Sequence, residues 1–190
     1  TPDSGSGVGL GLAGDFSLVD LGGDVFSLSD FRGRVVVVDF MSVMCGECRR
    51  QFPHLGDVWV DGGYGDDVVL ITVEVDPMVS LESFMGLREE FSYATWIWAM
   101  DTVEERVAVS YGVVSIPQVV VVDRDGYVRF RHVGETSSSV LFEELDYLVS
   151  LDASDGSGGL VGPGSGGVVV GGGDFLKRDS NIAHTFSCSR

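Results

Sequence analysis

Val35-Val36-Val37-Val38-Asp39-Phe40, followed by Cys45-Gly46-Glu47-Cys48, decides the reading of this chain. A continuous apolar run broken by one acid predicts a strand buried on both faces. Beyond Cys45, residues Gly46–Val60 read as a helix, with Pro53 as an expected kink. The cysteine pair therefore sits where a buried strand ends and a helix begins. Two residues between cysteines on a first helical turn bring the sulfurs within bonding reach and leave Cys45 nearest the N-terminus. Free N–H groups and partial positive charge there favour a thiolate over a thiol. A thiolate is the attacking species in disulfide exchange, so Cys45 is read as the nucleophile and Cys48 as the resolving thiol. Gly46 is expected to let the backbone turn tightly between them.

A structural zinc pair is the competing reading. Such sites usually take four protein ligands, and no second C-x-x-C exists. Cys188 is far downstream, and His54, His132 and His184 show no partner spacing. The pair is therefore read as redox-active, with no metal and no cofactor.

Working outward, Val68–Val75 is a second buried strand and Leu81–Phe91 has helical spacing through Leu81, Phe84, Met85 and Phe91. Trp96–Ala99 is a short strand whose tryptophans are read as core packing, with one ring expected toward the core and the other toward solvent or a helix. Val103–Tyr111 is an expected helix capped by Asp101-Thr102. Gln118–Val122 and Tyr127–Val133 form a hairpin through Asp123-Arg124-Asp125-Gly126. Phe16–Asp20 and Val25–Leu28 flank Gly22-Gly23 as a small N-terminal hairpin. Thr136 or a following serine caps a last helix through Leu141, Leu145 and Leu148. The fold class is α/β, a central mixed sheet flanked by helices with an added N-terminal β-hairpin.

Fifteen of the 27 glycines fall within residues 1–14 and 151–173. Backbone entropy makes such stretches hard to order. The organisation expected is a flexible segment over 1–14, a folded domain over 15–150 and a Gly-rich flexible tail over 151–190. The triplet Val168–Val170 is not read as a strand. Acids outnumber bases 29 to 12, for a net charge of −17. That excludes nucleic acid as a partner, because no basic excess is present to neutralise phosphates. It equally disfavours an anionic membrane surface. Only Lys177 is a lysine, a surface suited to a salt-rich medium. No apolar run is long enough to span a bilayer, and no signal-type segment follows Thr1, so the chain is read as a processed form.

The segments Asp15-Phe16-Ser17-Leu18, Phe26 through Phe40, Cys45 through Arg50, Tyr111-Gly112-Val113-Val114-Ser115-Ile116-Pro117 and Asp123-Arg124-Asp125-Gly126 together carry a family resemblance. The chain resembles the thioredoxin superfamily over Phe16 to about Ser150, in its TlpA/ResA-like thiol-disulfide oxidoreductase branch, which is related to AhpC/TSA proteins. The resemblance implies a cis proline at Pro117, packed against the active-site disulfide. Such a bend turns the Ile116 backbone outward to pair with an extended substrate chain. It also implies a buried acid six residues before the first cysteine, where Asp39 stands. Burial raises a carboxyl pKa, and a raised carboxyl can take the proton of Cys48 as that sulfur attacks. Many TlpA/ResA-like proteins carry a Glu three residues after the second cysteine. Gln51, which cannot exchange protons, occupies that place here.

Met44 and Met41 stand where the family has an aromatic residue and a Trp, giving a softer rim around Cys45. Glu47 replaces thioredoxin's Pro, and its charge disfavours the Cys45 thiolate, which points to a reductant. Arg49 and Arg50 pull the other way. Met44, Gly46, Glu47, Ile116 and Pro117 are the expected substrate-binding residues. Glu74 and Asp76 are expected at a solvated strand end. Glu89-Glu90, Glu104-Glu105 and Glu143-Glu144 are expected on exposed faces. His54 is expected at the surface.

The function expected is reduction or exchange of protein disulfides through the Cys45–Cys48 pair. Its partners are protein disulfide or dithiol substrates and an upstream reductant protein. Two alternatives are a peroxiredoxin-like peroxidase and a copper-binding assembly chaperone. Ser42 fits the peroxiredoxin pattern, but Val38 holds the place of its Pro. The resemblance implies an extracytoplasmic protein, secreted or held by a membrane tether, serving cytochrome c maturation or disulfide repair. A cytoplasmic location is the alternative.

Overall fold

A computed structural model describes residues 11–151 of the chain. Cys188, His184 and Val168–Val170 lie outside the described residues. The elements are β1 (Ser17–Val19), β2 (Val25–Ser27), a 3-10 turn (Leu28–Phe31), β3 (Val35–Met41), α1 (Gly46–Asp61), a second 3-10 turn (Gly65–Asp67), β4 (Val68–Glu74), α2 (Leu81–Glu90), β5 (Ile97–Met100), α3 (Val107–Ser110), β6 (Gln118–Val122), β7 (Val128–Val133) and α4 (Ser138–Ser150). The N-terminal hairpin and the strand-helix alternation are those expected. α1 runs on through Pro53.

The five-stranded sheet has the order β5-β4-β3-β6-β7. β3, β4 and β5 are parallel, β6 runs antiparallel to β3, and β7 runs antiparallel to β6. Every residue of β3 and β4 is buried. Such strands need a core on each face, and the chain supplies two. One holds Val35, Val37, Met41, Cys48, Phe52 and the α4 leucines; the other holds Val36, Val38, Phe40, Phe16 and Tyr111. β-branched valine at successive positions serves both, because side chains alternate across the pleat. At the hairpin turn Gly126 has a φ of +88°, and a Cβ there would run into the Arg32 guanidinium. This turn therefore requires glycine.

Ordered packing starts earlier than the expected residue 15. Ala13 is buried, its N–H donates to Gly126 O at 2.9 Å, and the Tyr111 hydroxyl donates to Gly14 O. Three other local expectations are corrected. The helix expected over Val103–Tyr111 is only the short α3: Thr102 Oγ1 closes a turn by accepting the Glu105 N–H, and the Asp101 carboxylate reaches past that turn to accept the N–H groups of Val107 and Ala108. In α2 the buried pair is Phe84 and Leu87, while Leu81 and Met85 are exposed. Trp96 and Trp98 are both buried in one core, stacked with ring centroids 6.1 Å apart. Residues two apart in an extended chain share a face, so both rings point into this core instead of one to each side. No helix among the described residues is long and apolar enough to cross a membrane.

Candidate active site

The loop after β3 delivers Cys45 to the carboxyl end of the sheet, where open α/β sheets place their sites. Cys45 is itself the N-cap of α1, and its sulfur accepts the Cys48 N–H at 3.1 Å. The helix thus begins by directing a backbone donor at the sulfur, which favours a thiolate in the reduced state. Cys45 and Cys48 are joined as a disulfide with Cα atoms 5.3 Å apart. Their environments differ: Cys48 has no exposed surface, whereas Cys45 is half-buried. The Ile116–Pro117 bond is cis, and the Ile116 carbonyl oxygen lies 3.9 Å from Cys45 Sγ. Ile116 N–H makes no hydrogen bond among the described residues. Pro117 is buried, and its carbonyl accepts the Gly134 N–H.

Asp39 lies between Val37 and Met41 on the core face shared with Cys48. It has no exposed surface, and burial pushes its carboxyl up to about 7 against a smaller opposing effect of the Thr72 hydroxyl. Its Oδ1 has no hydrogen-bond partner among the described residues. Met44 is 81% exposed beside Cys45, and Val114 is 91% exposed in the loop leading to Ile116. Gly46 and Glu47 are also exposed. The role expected of Gly46 is corrected: its φ is not positive and a Cβ would meet nothing. The turn does not need glycine there.

The surrounding charges are more committed than expected. Arg49 pairs with Glu90, and Arg50 pairs with Glu135 and Glu47. His54 is half-buried, with Nε2 at 3.3 Å from Glu135. Glu144 is also half-buried, against His132. Gln51 is fully buried and clamps the loop before α4. Its amide donates to Thr136 O at 2.9 Å and accepts the Thr136 N–H at 2.7 Å. α1 and the Gly134–Thr136 loop that touches Pro117 are held together by this neutral pair.

Glu74 is the residue that sequence reasoning misplaced most. Instead of ending the strand in solvent it is 1% exposed, and burial raises its pKa. Its two oxygens accept the N–H groups of Val43 at 2.7 Å and Asp76 at 2.8 Å. The carboxyl so ties the loop that presents Cys45 to the loop after β4. Glu74→Ala leaves two N–H groups unpaired. The expected cost is about 3–6 kcal/mol of stability, because each of the two hydrogen bonds to a charged group contributes about 1.5–3 kcal/mol. Urea unfolding of the oxidised protein measures it, and Glu74→Gln should recover only part, since an amide has one accepting oxygen.

A family model described as the AhpC/TSA family matches residues 11–131. The thiol-disulfide oxidoreductase ResA of Geobacillus kaustophilus is 30% identical over 118 residues, which are 62% of this chain and 64% of that protein. Among solved structures, a thiol:disulfide interchange protein from Bacteroides sp. superposes with a TM-score of 0.63 at 25% identity, covering 77% of this chain and 93% of that one. The exposed lipoprotein thioredoxin of Streptococcus pneumoniae superposes with a TM-score of 0.62 at 25% identity, covering 71% and 100%.

Proposed function

The chain belongs to the AhpC/TSA family and is a thiol-disulfide oxidoreductase of the ResA/TlpA type, and we propose from that premise that it reduces disulfides in protein substrates. Its redox pair is Cys45–Cys48. In the reduced enzyme the Cys45 thiolate attacks one sulfur of a substrate disulfide. A Cys45–substrate bond forms, the substrate bond breaks, and the second substrate sulfur leaves as a thiolate and takes a proton. Cys48 then gives its proton to Asp39 and attacks Cys45 Sγ. The Cys45–Cys48 disulfide forms and the first substrate sulfur departs as a thiolate. Two electrons pass to the substrate, and an upstream dithiol protein restores the pair.

The observation that carries this reading is the unequal burial of the two sulfurs, with the accessible one at a helix N-terminus. A protein substrate is supported by the surface around Cys45. Exposed Met44 and Val114 flank it, and the unpaired Ile116 N–H beside its carbonyl offers a strand edge to an extended chain. A cavity of about 420 Å³, lined by Trp59, Arg88 and Trp96 among others, includes neither cysteine. The reducing direction is supported by Glu47, whose negative charge next to the pair works against the Cys45 thiolate. Arg49 is held by Glu90, and Arg50, 3.6 Å from Glu47, is shared with Glu135, so the offset to that charge is partial. An extracytoplasmic setting, secreted or tethered, is supported by the likeness to an exposed lipoprotein.

Reduced, metal-free protein is expected to reduce insulin disulfides, with the Cys45→Ser variant at background. The couple should lie nearer the roughly −270 mV of thioredoxin than the roughly −120 mV of strong oxidants. A protein inert to insulin that consumes peroxide stoichiometrically would overturn the proposal in favour of a peroxidase.

A further inference from the structure

The carboxyl of Asp39 has one polar partner among the described residues, and that partner has another behind it. Thr72 stands opposite Asp39 in the β3–β4 register, and its hydroxyl donates to Asp39 Oδ2 at 3.4 Å. The Trp96 indole N–H donates in turn to Thr72 Oγ1 at 3.0 Å. Asp39 and Thr72 have no exposed surface and Trp96 has 4%, so water does not compete for these bonds.

Indole nitrogen can only donate, and a hydroxyl carries a single proton. With Trp96 occupying a lone pair of Thr72, the chain runs in one direction, from Trp96 through Thr72 to Asp39. A donor held against a carboxyl favours its charged form, and bonds in series polarise one another. The Thr72 contact is longer than the roughly 2.5–2.7 Å of a hydroxyl–carboxylate bond. It therefore has room to tighten when Asp39 ionises, which weights it toward that state. The other oxygen, Oδ1, is left unpartnered and open to a proton.

We infer that Trp96 and Thr72 form a fixed donor chain that sets the proton affinity of Asp39, and are positioning residues for exchange at Cys48. The catalytic half of this inference rests on the proposed role of Asp39; the effect on Asp39 itself does not. Other groups facing Asp39 are few. α1 brings Cys48, and β4 brings Glu74 two residues beyond Thr72, where it is held by Val43 and Asp76. To this side β6 presents Val119 and Val121, β5 presents Trp98, and α2 and α4 present Phe84 and leucines. Glu74 is thus the one other carboxyl whose titration must be separated.

The test is a carbon-13 NMR titration of the Asp39 carboxyl in the oxidised protein, where Cys48 cannot titrate. Aspartate-selective labelling keeps Glu74 out of the spectrum, and Asp39→Asn assigns the signal. Thr72→Val, of nearly equal volume, is expected to raise the midpoint by about one pH unit. Thr72→Ser should restore it, and Trp96→Phe should raise it by less. In the reduced protein, the pH profile for resolution of a Cys45 mixed disulfide should move by the same amount, with its plateau unchanged. A Thr72→Val midpoint within about 0.2 unit of the parent overturns the inference, whatever the rates do. A midpoint that shifts while the rate profile stays still upholds the donor chain and overturns Asp39 as the proton acceptor.

Discussion

Cys48→Ala is expected to stop turnover and leave the enzyme joined to its substrate through Cys45. Cys48 is fully buried and bonded to Cys45 across the first turn of α1. Alanine removes the sulfur without adding a buried polar group, and leaves the N-cap donor to Cys45 in place. The nucleophile keeps its environment and only the second step is lost. That step owes its speed to geometry, since a well-oriented intramolecular group acts as if at about 10⁵ M or more. External thiol at millimolar concentration cannot replace it, so insulin reduction should fall by roughly a thousandfold or more even if orientation is imperfect. Non-reducing gels and mass spectrometry would show one substrate chain per enzyme, released by excess thiol. Cys45→Ser should give no adduct. An equal yield of adduct from both variants would mean that the buried sulfur also attacks, and the order of the two steps would be lost.

What could be read from the sequence follows how local the determining physics is. The valine run of β3 fixes a strand buried on both faces, because nothing else explains seven residues with no solvent side. Asp39 is visible for the same reason: an acid in such a run has nowhere polar to go. Glu74 is hidden because strand-end acids normally reach water, and its partners are backbone groups of Val43 and Asp76 whose positions depend on the folded loops. Gln51 can be recognised as unable to carry a proton, but its clamp on Thr136 joins residues 85 apart in sequence. The donor chain to Asp39 is hidden in the same way. It requires the β3–β4 register, and it requires β5 to lie beside β4 so that the Trp96 indole reaches Thr72. The short α3 likewise turns on Asp101 capping Val107 and Ala108, six and seven residues ahead.

Asp39→Asn should stabilise the oxidised protein increasingly as pH rises, while slowing its chemistry when reduced. The carboxyl is held at about 7 in the folded state, against an ordinary value of 3.8, by burial. A raised pKa means that the native state holds a proton the unfolded chain has released. The stability tied to that proton is fully present below about pH 4 and is lost progressively as pH rises through 7. The shift amounts to about 4 kcal/mol at about 1.4 kcal/mol per unit. An asparagine in the same place stays neutral throughout, so the variant's advantage over the parent should grow by about 4 kcal/mol between pH 4 and pH 8. Part of it is offset by a constant cost, because the new amide N–H groups meet a site with one hydroxyl partner. Urea unfolding of the two oxidised proteins across this range measures the slope. An advantage that does not change with pH would mean that Asp39 titrates like an exposed acid. In the reduced variant Cys48 has lost the base that takes its proton, a contribution of about a hundredfold or more for a positioned general base. Resolution of the mixed disulfide should then slow by that factor near pH 7 and recover at high pH, where solvent removes the proton. The buried charge that weakens the fold is thus the same group that speeds the second step, and Asp39→Asn separates its two effects by assay and by pH.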